Sequence, residues 1–136
     1  MKIFFQDLEL FTKGRTEVID ITNLVEEVVS KSEIKNGLCL IHSVHSTTAI
    51  IVNENEAGLK MDMVKKIADD YPKGVGWSHD RIDDNADAHL ASAFIGSSRI
   101  FPVKDSRLAR GIWQNIFLLE LDGPRQRRII VEVIGE

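Results

Sequence analysis

The segment "HDRIDDNADAH", residues 79–89, places two histidines and four aspartates within eleven positions. Neutral imidazole and carboxylate are the usual protein ligands of zinc and related divalent ions. Three of them with one position left open is the catalytic pattern. His79 and His89 are candidates for such a set, with Asp87 just before His89. The spacing matches no fixed signature of the HExxH kind, and a solvated loop whose aspartates cap the next helix has the same composition.

A second candidate stretch, "HSTTAIIVNENE", opens on His45. At a strand bend His45 is a candidate ligand or general acid/base, and Ser46, Thr47 and Thr48 offer hydroxyls and backbone N–H groups to an anion. The alternative is a hydrogen-bonded histidine at a strand end, beside threonines that suit a sheet. Glu54 and Glu56 flank a helix start, where the dipole favours carboxylates whatever their role. His42 lies on the opposite face from His45 and reads as a core or interface residue. In "GIWQNIFLLELDGPRQRR", Trp113 offers a broad face, Gln114 an amide, and Arg125, Arg127 and Arg128 forked donors for phosphate oxygens. Alternation sends Arg127 and Arg128 to opposite faces, so for these two a charged turn that keeps a hairpin soluble is the better reading.

The elements that position these residues follow from hydrophobic period. Residues 2–11 read as a strand with Phe4, Leu8 and Leu10 on one face, and residues 16–21 as a second. "TNLVEEVVSKSEIKNG" reads as a short helix capped by Thr22 or Asn23, buried through Leu24, Val25, Val28 and Val29, and stopped by Asn36-Gly37. Residues 38–53 are strand-like, with a bend at 45–48. Residues 54–71 switch to a helical face of Ala57, Met61, Val64, Ala68 and Tyr71, ended by Pro72. A short helix then runs from a cap at Asp84 or Asn85 to Phe94, with Ala86, Leu90 and Ala93 inward. "RIFPV", "IWQNIFLLEL" and "RRIIVEVI" read as strands, the last two joined by the turn "DGPRQ". The pattern predicts one β-rich α+β domain over residues 1–136, with mostly antiparallel sheets and two or three inserted helices. A strand as apolar as "IFLLEL", set at a sheet edge, would suit an oligomer interface.

Composition narrows the function classes. The chain has 136 residues, a net charge of −4 and 43% hydrophobic residues, so no bulk charge favours nucleic acid or anionic membrane. No apolar run approaches a membrane span or a signal-peptide core, and a cytoplasmic protein is expected. Cys39 is alone in an apolar run and reads as a small core residue.

Three stretches in register, "HSTTAIIVNENE", "DDNADAHLASAFIGSS" and "GIWQNIFLLELDGPRQRRIIVEVIGE", resemble the YjbQ family, also called UPF0047 or secondary thiamine-phosphate synthase family. The resemblance spans nearly the whole chain. It implies a compact homotrimer whose attributed activity joins a pyrimidinyl-methyl pyrophosphate to a thiazole ethyl phosphate with release of pyrophosphate. The family's histidines fall on His45, His79 and His89, and Asp87, Asn53, Glu54, Gly111, Trp113 and Gln114 also match. Two positions depart from the family pattern: Ile112 replaces a threonine, and Ser106 stands where a glycine is usual.

Residues and resemblance together give a candidate catalytic set of His45, His89 and Asp87. They give a candidate set of His45, His79 and His89 for a divalent metal, zinc or magnesium. Thr47, Thr48, Asn53, Glu54, Trp113, Gln114 and Arg125 are candidates for holding a phosphorylated metabolite. The alternatives are a non-catalytic binding protein for such a metabolite and a metal-dependent phosphate-ester hydrolase, since the same ligands would activate water.

Overall fold

The computed structural model describes residues 1–136. Its strands are β1 (Lys2–Phe11), β2 (Glu17–Asp20), β3 (Gly37–Ser43), β4 (Thr48–Asn53), β5 (Ser98–Lys104), β6 (Arg107–Leu108), β7 (Asn115–Glu120) and β8 (Gln126–Gly135). The helices are α1 (Thr22–Ser32), α2 (Ala57–Asp70) and α3 (Ala86–Ile95), with a short 3-10 turn at Ser78–Arg81. Every strand pair is antiparallel. The strands form a large sheet in the order β1-β8-β3-β5-β6 and a small one in the order β2-β7-β4. This is the β-rich α+β domain that the sequence pattern predicts.

The two sheets pack face to face. Leu8, Cys39, Ile41, Ile129, Val131 and Val133 of the large sheet meet Ile50, Ile116 and Leu118 of the small one, with Val25, Val28 and Val29 of α1 closing one end. Burial of this apolar set is the main driving force for the fold. The other face of the small sheet is covered by α3, where Ala88 and Ala91 sit on Ala49, Leu119 and Leu121. The small sheet is therefore a middle layer, and a strand buried on both faces reads as an unbroken apolar run. That explains "IFLLE". Contrary to the sequence expectation, β7 is the central strand of its sheet and not an edge.

Several boundaries differ from the sequence expectation for local reasons. Neither Thr22 nor Asn23 caps α1. Asp20 Oδ1 instead accepts the Thr22 N–H at 2.9 Å and its hydroxyl at 2.5 Å, and Thr22 Oγ1 accepts the Ile116 N–H at 2.9 Å. The helix ends before Asn36-Gly37, because Glu33 takes a left-handed conformation with φ of 57°. Gly37 serves another purpose: a Cβ there would lie 1.9 Å from the Ile134 carbonyl oxygen, so only glycine lets β3 and β8 approach. Helix α2 is capped by the Glu56 carboxylate, which accepts from the Gly58 and Leu59 N–H groups. Its expected inward face is only partly covered within one chain: Tyr71 packs against the cluster under α3 and Val64 is half-buried, but no residue of α2 is buried and Met61 is 73% exposed. In α3 Ala86 is buried as expected, together with Ala88, Ala91 and Ser92, whereas Leu90 is half-buried and Ala93 is exposed. Residues 111–114 form a turn rather than strand, closed by the Gln114 N–H on the Gly111 carbonyl. Ser106, where the family pattern has glycine, sits in the β5–β6 turn with φ of 67°, the left-handed region that glycine enters freely.

Candidate active-site cleft

The strand-like stretch 38–53 breaks at Val44–Thr47, leaving β3 in the large sheet and β4 in the small. This crossing loop, the start of α3 and the turn after β7 meet at one end of the sandwich. Between them lies an open cleft of about 630 Å³, walled by His45, Thr47, Asn85, His89, Asp122, Arg125 and Arg127. A second hollow of about 810 Å³ shares Val44, His45, Ser46 and His89 with it, and continues past Leu90, Ala93 and Gly96. The two make one trough. Its ends differ, with arginines at one and apolar or small residues at the other, and His45 and His89 stand in the shared wall.

His45 is fixed by its neighbour strand. The backbone N–H of Arg128 donates to His45 Nε2 at 2.8 Å. A peptide N–H can only donate, so Nε2 carries the lone pair and the proton of the neutral ring sits on Nδ1. Burial, followed by the charges of Arg127 and Arg128, holds this imidazole below its ordinary pKa against an opposing pull from Glu120. Nδ1 has no protein partner and stays accessible.

Beneath His45 lies a buried ion pair. Arg127 is 3% exposed, and its Nε and Nη2 donate to Glu120 Oε1 and Oε2 at 2.8 and 2.6 Å. Nη2 also donates to Thr47 Oγ1 at 2.8 Å. Glu120 is fully buried and further accepts the Thr12 hydroxyl and the Leu121 and Asp122 N–H groups. Burial pushes its carboxyl up, but these donors outweigh it and leave the pKa below the ordinary value. Nη1 of Arg127 is the guanidinium nitrogen with no protein partner, and the residue lines the cleft.

Arg127, for which the sequence favours a charged turn over a phosphate donor, is instead a buried member of the cleft wall. The signal was present: Arg127 is in phase with Ile129, Val131 and Val133, the buried positions of β8, and a charge on a core face must be paired. Asn85 and Asp122 were missed too. Asp122 Oδ2 accepts from Asn85 Nδ2 at 2.8 Å and from Arg125 Nη2 at 3.1 Å, and despite its partial burial these donors hold its pKa down. Asn85 Oδ1 is left as a buried acceptor without a partner.

The other expected site residues separate into groups. His79 is exposed and packs edge-on against His89, with ring centroids 4.7 Å apart. Asp87 does not face the trough. Two residues along a helix is about 200° of rotation, which turns it away from His89, and Arg15 holds it through Nη1 at 2.9 Å and Nη2 at 3.1 Å. Thr48 is interior, with Oγ1 2.5 Å from Ser43 Oγ and its carbonyl accepting the Ser92 hydroxyl. Asn53, Glu54, Trp113 and Gln114 lie at the opposite end of the small sheet, since Asn53 pairs with Asn115 while Thr48 pairs with Glu120. Five residues at about 3.3 Å each set those ends about 16 Å apart. Ile112, Trp113 and Gln114 are all exposed there.

A three-ligand metal centre is not assembled within one chain. No three His, Cys, Asp or Glu side chains converge as a ligand set. His45 has already given its lone pair to Arg128, and Asp87 is tied to Arg15. Cys39 is no alternative ligand or nucleophile, because burial, with a smaller push from Glu26, takes its thiol up to about 12.

The fold and the trough define a small two-sheet α+β protein with a polar cleft at the sheet crossover. The chain belongs to the YjbQ/UPF0047 family: the model described as "UPF0047 protein YjbQ-like" matches residues 6–136. A UPF0047 protein of Archaeoglobus fulgidus is 46% identical over 128 residues, covering 94% of this chain and 99% of that one. A UPF0047 protein of Methanothermobacter thermautotrophicus is 43% identical over 136 residues, covering 100% and 95%. Among solved structures, a YbjQ-like protein of unknown function from Sulfolobus solfataricus superposes with a TM-score of 0.98 at 51% identity, covering 99% of both chains.

Proposed function

We propose that the trough binds a phosphorylated small molecule and that the protein is an enzyme expelling pyrophosphate from it. The reaction would join a pyrimidinyl-methyl pyrophosphate to a thiazole ethyl phosphate. The observation that carries this reading is the polarity of the trough: donors at one end suit an anion, the apolar end suits a ring, and His45 and His89 stand where they meet. The chemistry suits a site without a free base. The carbon–oxygen bond to pyrophosphate breaks as the ring nitrogen of the thiazole forms the new bond, and that nitrogen has no proton to lose. What the site must supply is stabilisation of charge on the departing oxygens.

The assembly that fits this reading is a homotrimer. The outer face of the large sheet supports an assembly, with a row of Ile3, Ile134 and Leu38 beside a row of Phe5, Leu40 and Ile100 that Glu132 interrupts, all open to solvent or half-covered in a single chain. Asn53, Glu54, Trp113 and Gln114 would then reach the cleft only from a neighbouring copy.

A second reading is a non-catalytic binding protein for the same molecule, favoured by one observation: His45 and Arg127 are held rigidly by the protein, as anion binding requires whether or not a reaction follows. Pyrophosphate release from the two substrates decides between them. The enzyme reading expects turnover that falls at least about 100-fold in His89→Ala, the cost of losing one donor to the departing oxygens. Tight ligand binding with no release under any condition overturns it in favour of the binding protein.

A further inference from the structure

We propose that the basic end of the trough is a metal-independent cradle for a phosphate group, formed by Arg127 Nη1, the Thr47 hydroxyl and His45 Nδ1–H. The proposal rests on the reading that the trough takes a phosphorylated molecule, and it names the three atoms that would hold that group.

Each of the three offers a donor that the protein leaves unused. Arg127 spends Nε and Nη2 on Glu120 and Thr47, leaving Nη1 free. Thr47 Oγ1 accepts from Arg127 Nη2 at 2.8 Å, so its own proton has to point elsewhere, and no protein acceptor takes it. His45 accepts the Arg128 N–H at Nε2, so only the Nδ1–H remains. All three residues line the same cleft.

The wall also carries two acceptors, Asp122, whose Oδ2 is occupied by Asn85 and Arg125, and the amide oxygen of Asn85, which has no partner. Three convergent donors, one of them on a guanidinium, favour an acceptor-rich anion over a neutral or cationic ligand. The cradle is also stiff. Arg127 is held in its fork by a fully buried carboxylate, and His45 by a backbone group, so little ordering remains for binding to overcome. A bridging metal is poorly served by it, because Arg127 Nη1 and His45 Nδ1–H have no lone pair to give, which leaves the Thr47 hydroxyl as the one oxygen among the three.

The test is calorimetric titration of inorganic phosphate and inorganic pyrophosphate into the full chain in EDTA. Wild type should bind, and pyrophosphate should bind more tightly than phosphate. Arg127→Lys keeps the charge opposite Glu120 but removes the forked nitrogen. Thr47→Val removes the hydroxyl at constant shape and serves if the lysine variant folds poorly. Each should weaken pyrophosphate by about tenfold or more, the worth of a charge-assisted hydrogen bond. Arg125→Ala, at the exposed rim, should cost clearly less.

Binding that appears only when magnesium or zinc replaces EDTA overturns the cradle. So does binding that survives Arg127→Lys and Thr47→Val but is lost in Arg125→Ala. The two proposals fail separately. The expected binding losses without any pyrophosphate release uphold the cradle and remove the transferase. Turnover with no metal-free anion binding does the reverse.

Discussion

Arg15 grips Asp87 with both terminal nitrogens, at 2.9 and 3.1 Å, and thereby ties the β1–β2 connection to the first turn of α3. Asp87 is a strut. Its carboxylate raises the pKa of the Arg15 guanidinium through hydrogen bonding, against a smaller opposing burial effect. Asp87→Asn and Arg15→Gln should each destabilise the protein by about 1–2 kcal/mol, measured by urea unfolding. The double variant should cost little more than either single one, because the partners share one interaction. If Asp87 instead acted on substrate, Asp87→Asn would abolish turnover while Arg15→Gln left it largely intact.

The Glu120–Arg127 pair predicts a larger and more selective effect. Both side chains are almost fully buried, at 0% and 4% exposure, so removing one partner strands the other's charge in the interior. Arg127→Met should cost about 3–5 kcal/mol. Combining it with Glu120→Gln should recover most of that loss, since a neutral pair needs no compensation. Denaturant midpoints of the three variants give the answer, and a double variant no more stable than Arg127→Met would refute the account.

Most of the fold was legible, because the strands alternate cleanly and each buried face shows its period. The break at residues 45–48 was legible too, from small polar residues interrupting an apolar strand. Two things were not. The covered or uncovered state of α2 depends on what lies beside it, and a helical stripe looks the same in either case. The site was read from residue types, which suggested that His45, Asp87 and His89 converge. Direction on the helix sends Asp87 away, and a backbone N–H from β8 fills the His45 lone pair. A contact between a side chain and a distant backbone group leaves no mark in sequence spacing. The in-phase Arg127 did leave one.

Stability should fall in two stages as pH is lowered. The fold holds His45 neutral, with its pKa below the ordinary 6.5. Below that value the unfolded chain binds the proton first, so stability declines from about pH 6.5 until the folded pKa is passed. Glu120 and Asp122 have pKa values lowered from 4.5 and 3.8, so their contribution is complete above those values and lost as pH falls through the folded ones. His45→Gln should flatten the first decline and leave the second. Unfolding free energies measured across pH 3–8 on both proteins show whether the first limb belongs to His45.

The separation of the family-matched residues into two groups leads to the most direct test of assembly. His45, Thr47 and His89 stand at one end of the small sheet, Asn53, Trp113 and Gln114 at the other, and a stiff strand holds them about 16 Å apart. One chain cannot bring them together, whereas neighbouring copies in a ring can. His89→Ala and Trp113→Ala proteins, each inactive alone, should regain part of the activity when unfolded, mixed and reassembled, because some interfaces then carry an intact residue from each copy. Ile100→Glu, which puts a second carboxylate in the row that holds Phe5, Glu132 and Leu40, should release monomers in sedimentation runs and lose turnover in parallel. A fully active monomer would confine the reaction to the cleft of a single chain. Mixtures that stay inactive in an intact oligomer would leave Trp113 a role only within its own subunit.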